Sequence, residues 1–86
     1  MSGRLSLYYY DACPFCRIVL REIDRLGLEV ERRDIWLEPQ NRIDLMEARG
    51  RATVPVLRIE AEGADDAEWM PESADIIEYL RTVRAS

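Results

Sequence analysis

The 86-residue chain has no histidine, no lysine, one phenylalanine and only two cysteines. Without imidazole, neither a histidine general base nor a histidine-ligated metal is available. Two thiols fall short of the roughly four ligands that a zinc site needs, so no metal is expected. No apolar stretch approaches the roughly 18 residues of a membrane span. The N-terminal MSGRLSLYYYD lacks an apolar core followed by a small-residue cleavage site, so no signal peptide is expected. The expected compartment is the cytoplasm, where thiols stay reduced. All twelve basic residues are arginine, yet the net charge is −5. That balance disfavours nucleic acid, whose phosphates require a basic face. There is no internal repeat and no linker, and residues 1–86 are expected to form a single domain.

What is present is a run of short amphipathic segments. Residues 4–10 read as a strand with Leu5, Leu7 and Tyr9 on one face. Residues 14–26 read as a helix with Phe15, Val19, Ile23 and Leu26 at helical spacing, stopped by Gly27. Residues 28–34 alternate as a strand with Leu28 and Val30 inward. A helix is expected over about 40–49, offering Ile43, Leu45 and Met46 to the core and ending at Gly50. A third strand covers 55–61, and the acidic stretch beyond it reads as a solvated hairpin turn. A short fourth strand, about 67–70, leads into a last helix, 73–84, with Ile76, Ile77, Leu80 and Val83 on one stripe. The order is βαβαββα, an α/β arrangement in which a βαβ unit demands parallel strands and the later pair suits a hairpin. Trp36 and Trp69 read as core or edge packing.

The two cysteines, Cys13 and Cys16, stand in CPFC at the start of the first helix. A structural disulfide would close a very short loop and constrain the unfolded chain little. Two inert, buried thiols are the bland alternative. A working pair fits the local physics. Pro14 suits the first helical position, where its missing N–H costs nothing. Cys13 is then the N-cap, its sulfur facing the free N–H groups of Phe15 and Cys16 and the positive end of the helix. These features favour thiolate, the reactive form. Arg17 adds positive potential. Cys16, three residues on, shares the face and lies deeper. Cys13 is expected to attack and Cys16 to resolve.

A CxxC that opens a helix after the first strand of a βαβ unit is a thioredoxin-fold signature. CPFC resembles the CPYC of dithiol glutaredoxins, and GRATVP (50–55) resembles the segment around their active-site cis-proline. YYYDACPFC together with WMPESADIIEYL (69–80) most resembles the N-terminal domain of bacterial glutathione-transferase-like glutaredoxins. The likeness implies a thioredoxin-like fold with a mixed four-stranded sheet flanked by helices. Those transferase-like members carry an all-helical second domain, which would follow where the present sequence stops. Many short glutaredoxins place a lysine where Tyr10 stands here.

The resemblance also implies a glutathione site formed by Tyr10, Arg17, Arg51, Thr53, Val54, Pro55, Glu72 and Ser73. In it, Val54–Pro55 is a cis peptide, and the Val54 backbone pairs with the extended cysteinyl unit of glutathione. Ser73, expected as the cap of the last helix, holds the γ-glutamyl carboxylate. Glu72 faces the ammonium, and Arg17 or Arg51 meets the glycine carboxylate. The expected activity is glutathione-dependent thiol–disulfide exchange by a monomer, with glutathione as co-substrate and glutathionylated or disulfide-containing proteins as partners. Two alternatives keep the fold. One is a carrier or sensor whose iron–sulfur cluster is bridged by glutathione. The other is a dedicated electron donor to one reductase or peroxidase.

Overall fold

A computed structural model of the chain describes residues 3–85. Its elements run β1 (Arg4–Tyr9), α1 (Pro14–Leu26), β2 (Glu31–Asp34), α2 (Pro39–Arg49), β3 (Val56–Glu60), β4 (Glu68–Pro71) and α3 (Ser73–Ala85). The strands form one sheet in the order β2–β1–β3–β4. β1 pairs parallel with β2 and antiparallel with β3, and β3 pairs antiparallel with β4. This is the expected thioredoxin-like α/β order. No described helix is long and apolar enough to cross a membrane.

Alternation along β1 explains the two layers. Leu5, Leu7 and Tyr9 face one side, and Leu7 lies opposite Leu57 of β3. They pack with Val19 and Ile23 of α1 and Ile76 and Leu80 of α3. Tyr8 faces the other side, where it meets Ile35, Leu45 and Val56. Strand side chains alternate by two and helix side chains by roughly 3.6, so a single stripe per element suffices for each layer.

Three expectations shift. Pairing of β2 begins at Glu31, opposite Ser6. Leu28 and Val30 pack on the core rim before that ladder starts. In α2 only Asn41 and Leu45 are buried, while Ile43 and Met46 are exposed. The cause is helical spacing: Asn41 and Leu45, four residues apart, share the one face of α2 that turns inward, and Ile43 and Met46 fall outside it. Phe15, expected in the α1 core stripe, is 60% exposed. It sits at the first turn of α1, outside the packed cluster that holds Val19 and Ile23.

α1 and α3 start at the same end of the sheet as β1 and β4 finish, so they lie side by side. Polar contacts bind their far halves. The Glu22 carboxylate accepts from Arg25 at 2.6 and 3.1 Å and from Arg81 at 2.9 Å. Arg84 donates to the carbonyl of Leu26 at 3.0 Å, an otherwise unpaired acceptor of the last helical turn. Hydrogen bonds from Arg25 and then Arg81 hold the Glu22 carboxyl well below the usual range, at about 2. A carboxyl depressed in the folded state stabilises above its unfolded value and loses that contribution as pH falls through the folded one. Glu22→Gln should therefore lower the melting temperature at neutral pH. The gap from the native protein should shrink steadily below roughly pH 4.5 and close towards pH 2, as thermal melts across that range would record.

Candidate functional site

β1 ends at Tyr9, and Tyr10 starts the turn into α1. The Cys13 N–H donates to the Tyr10 carbonyl at 3.2 Å. Cys13 then takes an extended conformation (φ −80°, ψ 118°) as the N-cap of α1, with Pro14 in the first turn. Its Sγ accepts from the Cys16 N–H at 3.3 Å, so the sulfur takes one of the helix's orphan donors. The Phe15 N–H makes no such bond, and the expected pair of donors reduces to one. The Cys13 carbonyl accepts from Arg17 N at 3.0 Å, the first intrahelical bond.

The two thiols are not equivalent. Both are free. Cys13 keeps 5% exposure and Cys16 has none. Burial, reinforced by the hydrogen bond shared with Cys13, pushes the Cys16 thiol up to about 12. Cys16 therefore stays protonated at neutral pH, and Cys13, itself buried, is the more exposed of the two.

Beside the N-terminus of α1 lies a groove of about 250 Å³. Phe15, Arg51, Thr53, Val54, Pro55, Glu72 and Ser73, all expected site residues, line it together with Arg49 and Pro71. Val54–Pro55 is cis, and Val54 stands just outside β3 at the groove wall. Cys13, Pro14 and Cys16 stand beside this lining and not in it, and two of the residues expected to bind glutathione lie elsewhere. Arg17 is exposed in a separate depression with Asp11, Leu20 and Arg21. Tyr10 stacks on Trp36, with ring centroids 3.9 Å apart and planes 13° from parallel. Trp36 is consequently neither core nor edge packing; it is 63% exposed.

The α3 end of the groove differs in detail from expectation. The first intrahelical bond runs from Ile76 N to the Glu72 carbonyl at 3.0 Å, and the helix starts at Ser73. Glu72 is therefore the capping position, and Ser73 is the first helical residue. Glu72 has φ 74° and is the only non-glycine described with positive φ. That left-handed conformation is costly for a residue with a Cβ, and such residues cluster at functional sites.

Arg49 escaped the sequence reading because a cation in the last turn of a helix is an ordinary complement to the dipole. Its Nε is buried and has no partner among the described residues. A buried guanidinium donor lacking a partner is expensive, and here it belongs to a groove-lining side chain.

Residues 7–85 match the family model for the glutathione S-transferase N-terminal domain. The chain belongs to that family. No curated protein matches it. Among solved structures, the domain resembles a glutathione transferase homologue from Drosophila mojavensis with bound glutathione, at 24% identity and TM-score 0.72, over 98% of this chain and 36% of that one. It resembles the trimeric glutathione transferase TDR1 of Leishmania at 29% identity and TM-score 0.72, over 92% of this chain and 17% of that one. Wheat glutaredoxin matches at 22% identity and TM-score 0.66, over 92% of this chain and 72% of that one. The domain thus spans well under half the length of those transferases. Its fold is the thioredoxin-like fold shared with the glutaredoxin.

The thiol asymmetry has a direct chemical readout. Brief alkylation of the reduced, folded domain at pH 8 should label Cys13 alone. Cys16 should become labelled only on unfolding, because both burial and its retained proton protect it. Peptide mapping by mass spectrometry would show the distribution, and equal labelling of the two in the native state would contradict it.

Proposed function

We propose that the domain is a glutathione-dependent thiol–disulfide oxidoreductase. The observation that carries this reading is the unequal thiol pair at a helix N-terminus, set beside a groove that ends at a second helix N-terminus. Family membership supports glutathione as the ligand. The second cysteine favours redox exchange over conjugation, since a transferase reaction has no use for a resolving thiol.

In the proposed reaction, the Cys13 thiolate attacks the glutathione sulfur of a mixed disulfide. The bond between glutathione and the substrate thiol breaks, the substrate leaves as thiolate, and glutathione remains on Cys13. A second glutathione thiolate then attacks that disulfide, releasing glutathione disulfide and free Cys13. With a protein disulfide, Cys16 can give up its proton and displace the substrate from Cys13, forming the internal disulfide. Glutathione lies along the groove. The Val54 backbone pairs with the cysteinyl unit. The α3 N-terminus and the Ser73 hydroxyl take the γ-glutamyl carboxylate, and Glu72 meets the ammonium. The glycine carboxylate falls to Arg49 and Arg51, which line the groove, rather than to Arg17, which does not.

A coupled assay on a glutathionylated peptide tests the roles of the thiols. Cys13→Ser should abolish turnover, whereas Cys16→Ser should retain it on this substrate and lose it on protein disulfides. Comparable activity of the two variants on the glutathionylated peptide would refute the assignment.

The groove has its own test. Ser73 is the first helical residue and not the cap, so Ser73→Ala removes the hydroxyl at little cost to the helix. Ser73→Ala and Arg49→Ala should each raise KM for glutathione about ten- to a hundredfold, the value of a hydrogen bond to a charged group. Turnover of a disulfide lacking the γ-glutamyl and glycine groups should change little. Unaltered glutathione kinetics in both variants would remove the groove from the proposal.

A further inference from the structure

The loop after β2 holds two large apolar side chains in solvent and holds them rigidly. Trp36 is 63% exposed and Leu37 is 77% exposed. Beneath them, Asp34 is buried. Its Oδ1 accepts from Trp36 N at 2.8 Å and from Leu37 N at 3.0 Å. Its carbonyl accepts from Glu38 N at 3.2 Å and from the Asn41 side chain at 3.1 Å. Ile35 N donates to the Tyr9 carbonyl at 2.9 Å. Five hydrogen bonds thus fix the backbone of a four-residue loop in which Ile35 packs in the core while Trp36 and Leu37 stay in solvent. Such an ordered apolar display marks contact with a partner more often than a single scattered exposed residue does.

The position of the loop identifies the contact. β1 carries the turn to Cys13 and lies between β2 and β3. The glutathione groove is built on the β3–β4 side, and Trp36 stands on the β2 side. Tyr10 joins this platform to the redox motif, since its ring stacks on Trp36 and its carbonyl holds the Cys13 N–H. A mixed disulfide brought to Cys13 has two halves. With one half in the groove on the β3–β4 side, the β2 side, where the loop stands, is left for the other. A permanent occupant, such as a second copy of the chain, would crowd the thiol that must receive successive substrates. The platform presents π faces and an isobutyl group and no charge of its own. Its natural counterpart is an apolar or aromatic side chain.

We propose that Trp36 and Leu37, with Tyr10 behind them, form a specificity surface for protein substrates, one that selects an apolar or aromatic residue flanking the substrate cysteine. The inference builds on the redox reading of Cys13 but does not require glutathione. Its test therefore uses peptides alone. Two peptides that differ only in a Phe or a Ser beside their cysteine are activated as mixed disulfides with thionitrobenzoate. The Cys13 thiolate attacks the peptide sulfur, the bond to thionitrobenzoate breaks, and the coloured thiolate is released, so that its absorbance reports the rate.

In a Cys16→Ser background, the Phe peptide should react about two- to tenfold faster than the Ser peptide, the range of an aromatic contact. Trp36→Ala should bring the ratio close to one while leaving the rate with the Ser peptide within about twofold, as for other surface changes. Trp36→Phe should restore the preference, and Leu37→Ser should weaken it. Equal rates for the two peptides with Trp36 present would overturn the proposal. So would a preference unchanged by Trp36→Ala, or a dimer that Trp36→Ala converts to monomer in light scattering. A retained peptide preference without any glutathione-dependent turnover would instead overturn the proposed function and leave the platform standing.

Discussion

The pairing of β1 on both of its edges is the constraint from which the site follows. A parallel partner on one side and an antiparallel one on the other decide which chain ends meet. The exits of β1, β2 and β4 and the entry of β3 all fall at one end of the sheet. Four connections therefore gather at the end of the sheet where Cys13 stands: the turn into α1, the fixed loop at Trp36, the segment from Arg49 to Pro55, and the Glu72–Ser73 junction. Residues as far apart in sequence as Phe15 and Ser73 become walls of one groove because the sheet returns them there. The buried Leu7–Leu57 pair, flanked by α1 and α3, anchors that arrangement.

Division of labour between the thiols needs no special residue. Both occupy one helical face, yet three positions along a helix separate a capping site from an interior one. The cap holds its sulfur against a backbone N–H. The interior position has lost solvent and keeps its proton. Two unequal thiols thus arise from one geometric step along α1.

Much of this was legible in the sequence, because it depended on local rules. Period and punctuation placed all seven elements, and Gly27 and Gly50 do end their helices in left-handed conformation. Cys13 as a cap followed from Pro14. Features that depended on how elements cross were not legible. Ile43 and Met46 look like core residues until α2 is seen to bury only Asn41 and Leu45. Trp36 looks buried by composition, and only the Asp34 hydrogen bonds explain its exposure. Arg49 looked like a routine helix-end cation until the groove appeared beside it. The shift of the α3 cap from Ser73 to Glu72 turned on a single backbone angle, which residue preferences do not encode.

The orientation of the helices bears on how substrates arrive. α1 and α3 both point N-termini at the Cys13 end of the sheet, each worth about half a positive charge, while α2 brings a C-terminus of opposite sign. Arg49 and Arg51 stand at that C-terminus and reverse its contribution. Across the molecule, the β3–β4 turn carries Glu62, Asp65 and Asp66. The chain's net charge of −5 is therefore unevenly spread: the far turn is acidic, whereas two arginines and one glutamate line the groove. A small anion is repelled by that turn and attracted by the two arginines, a bias that salt screens over about 8 Å under physiological conditions.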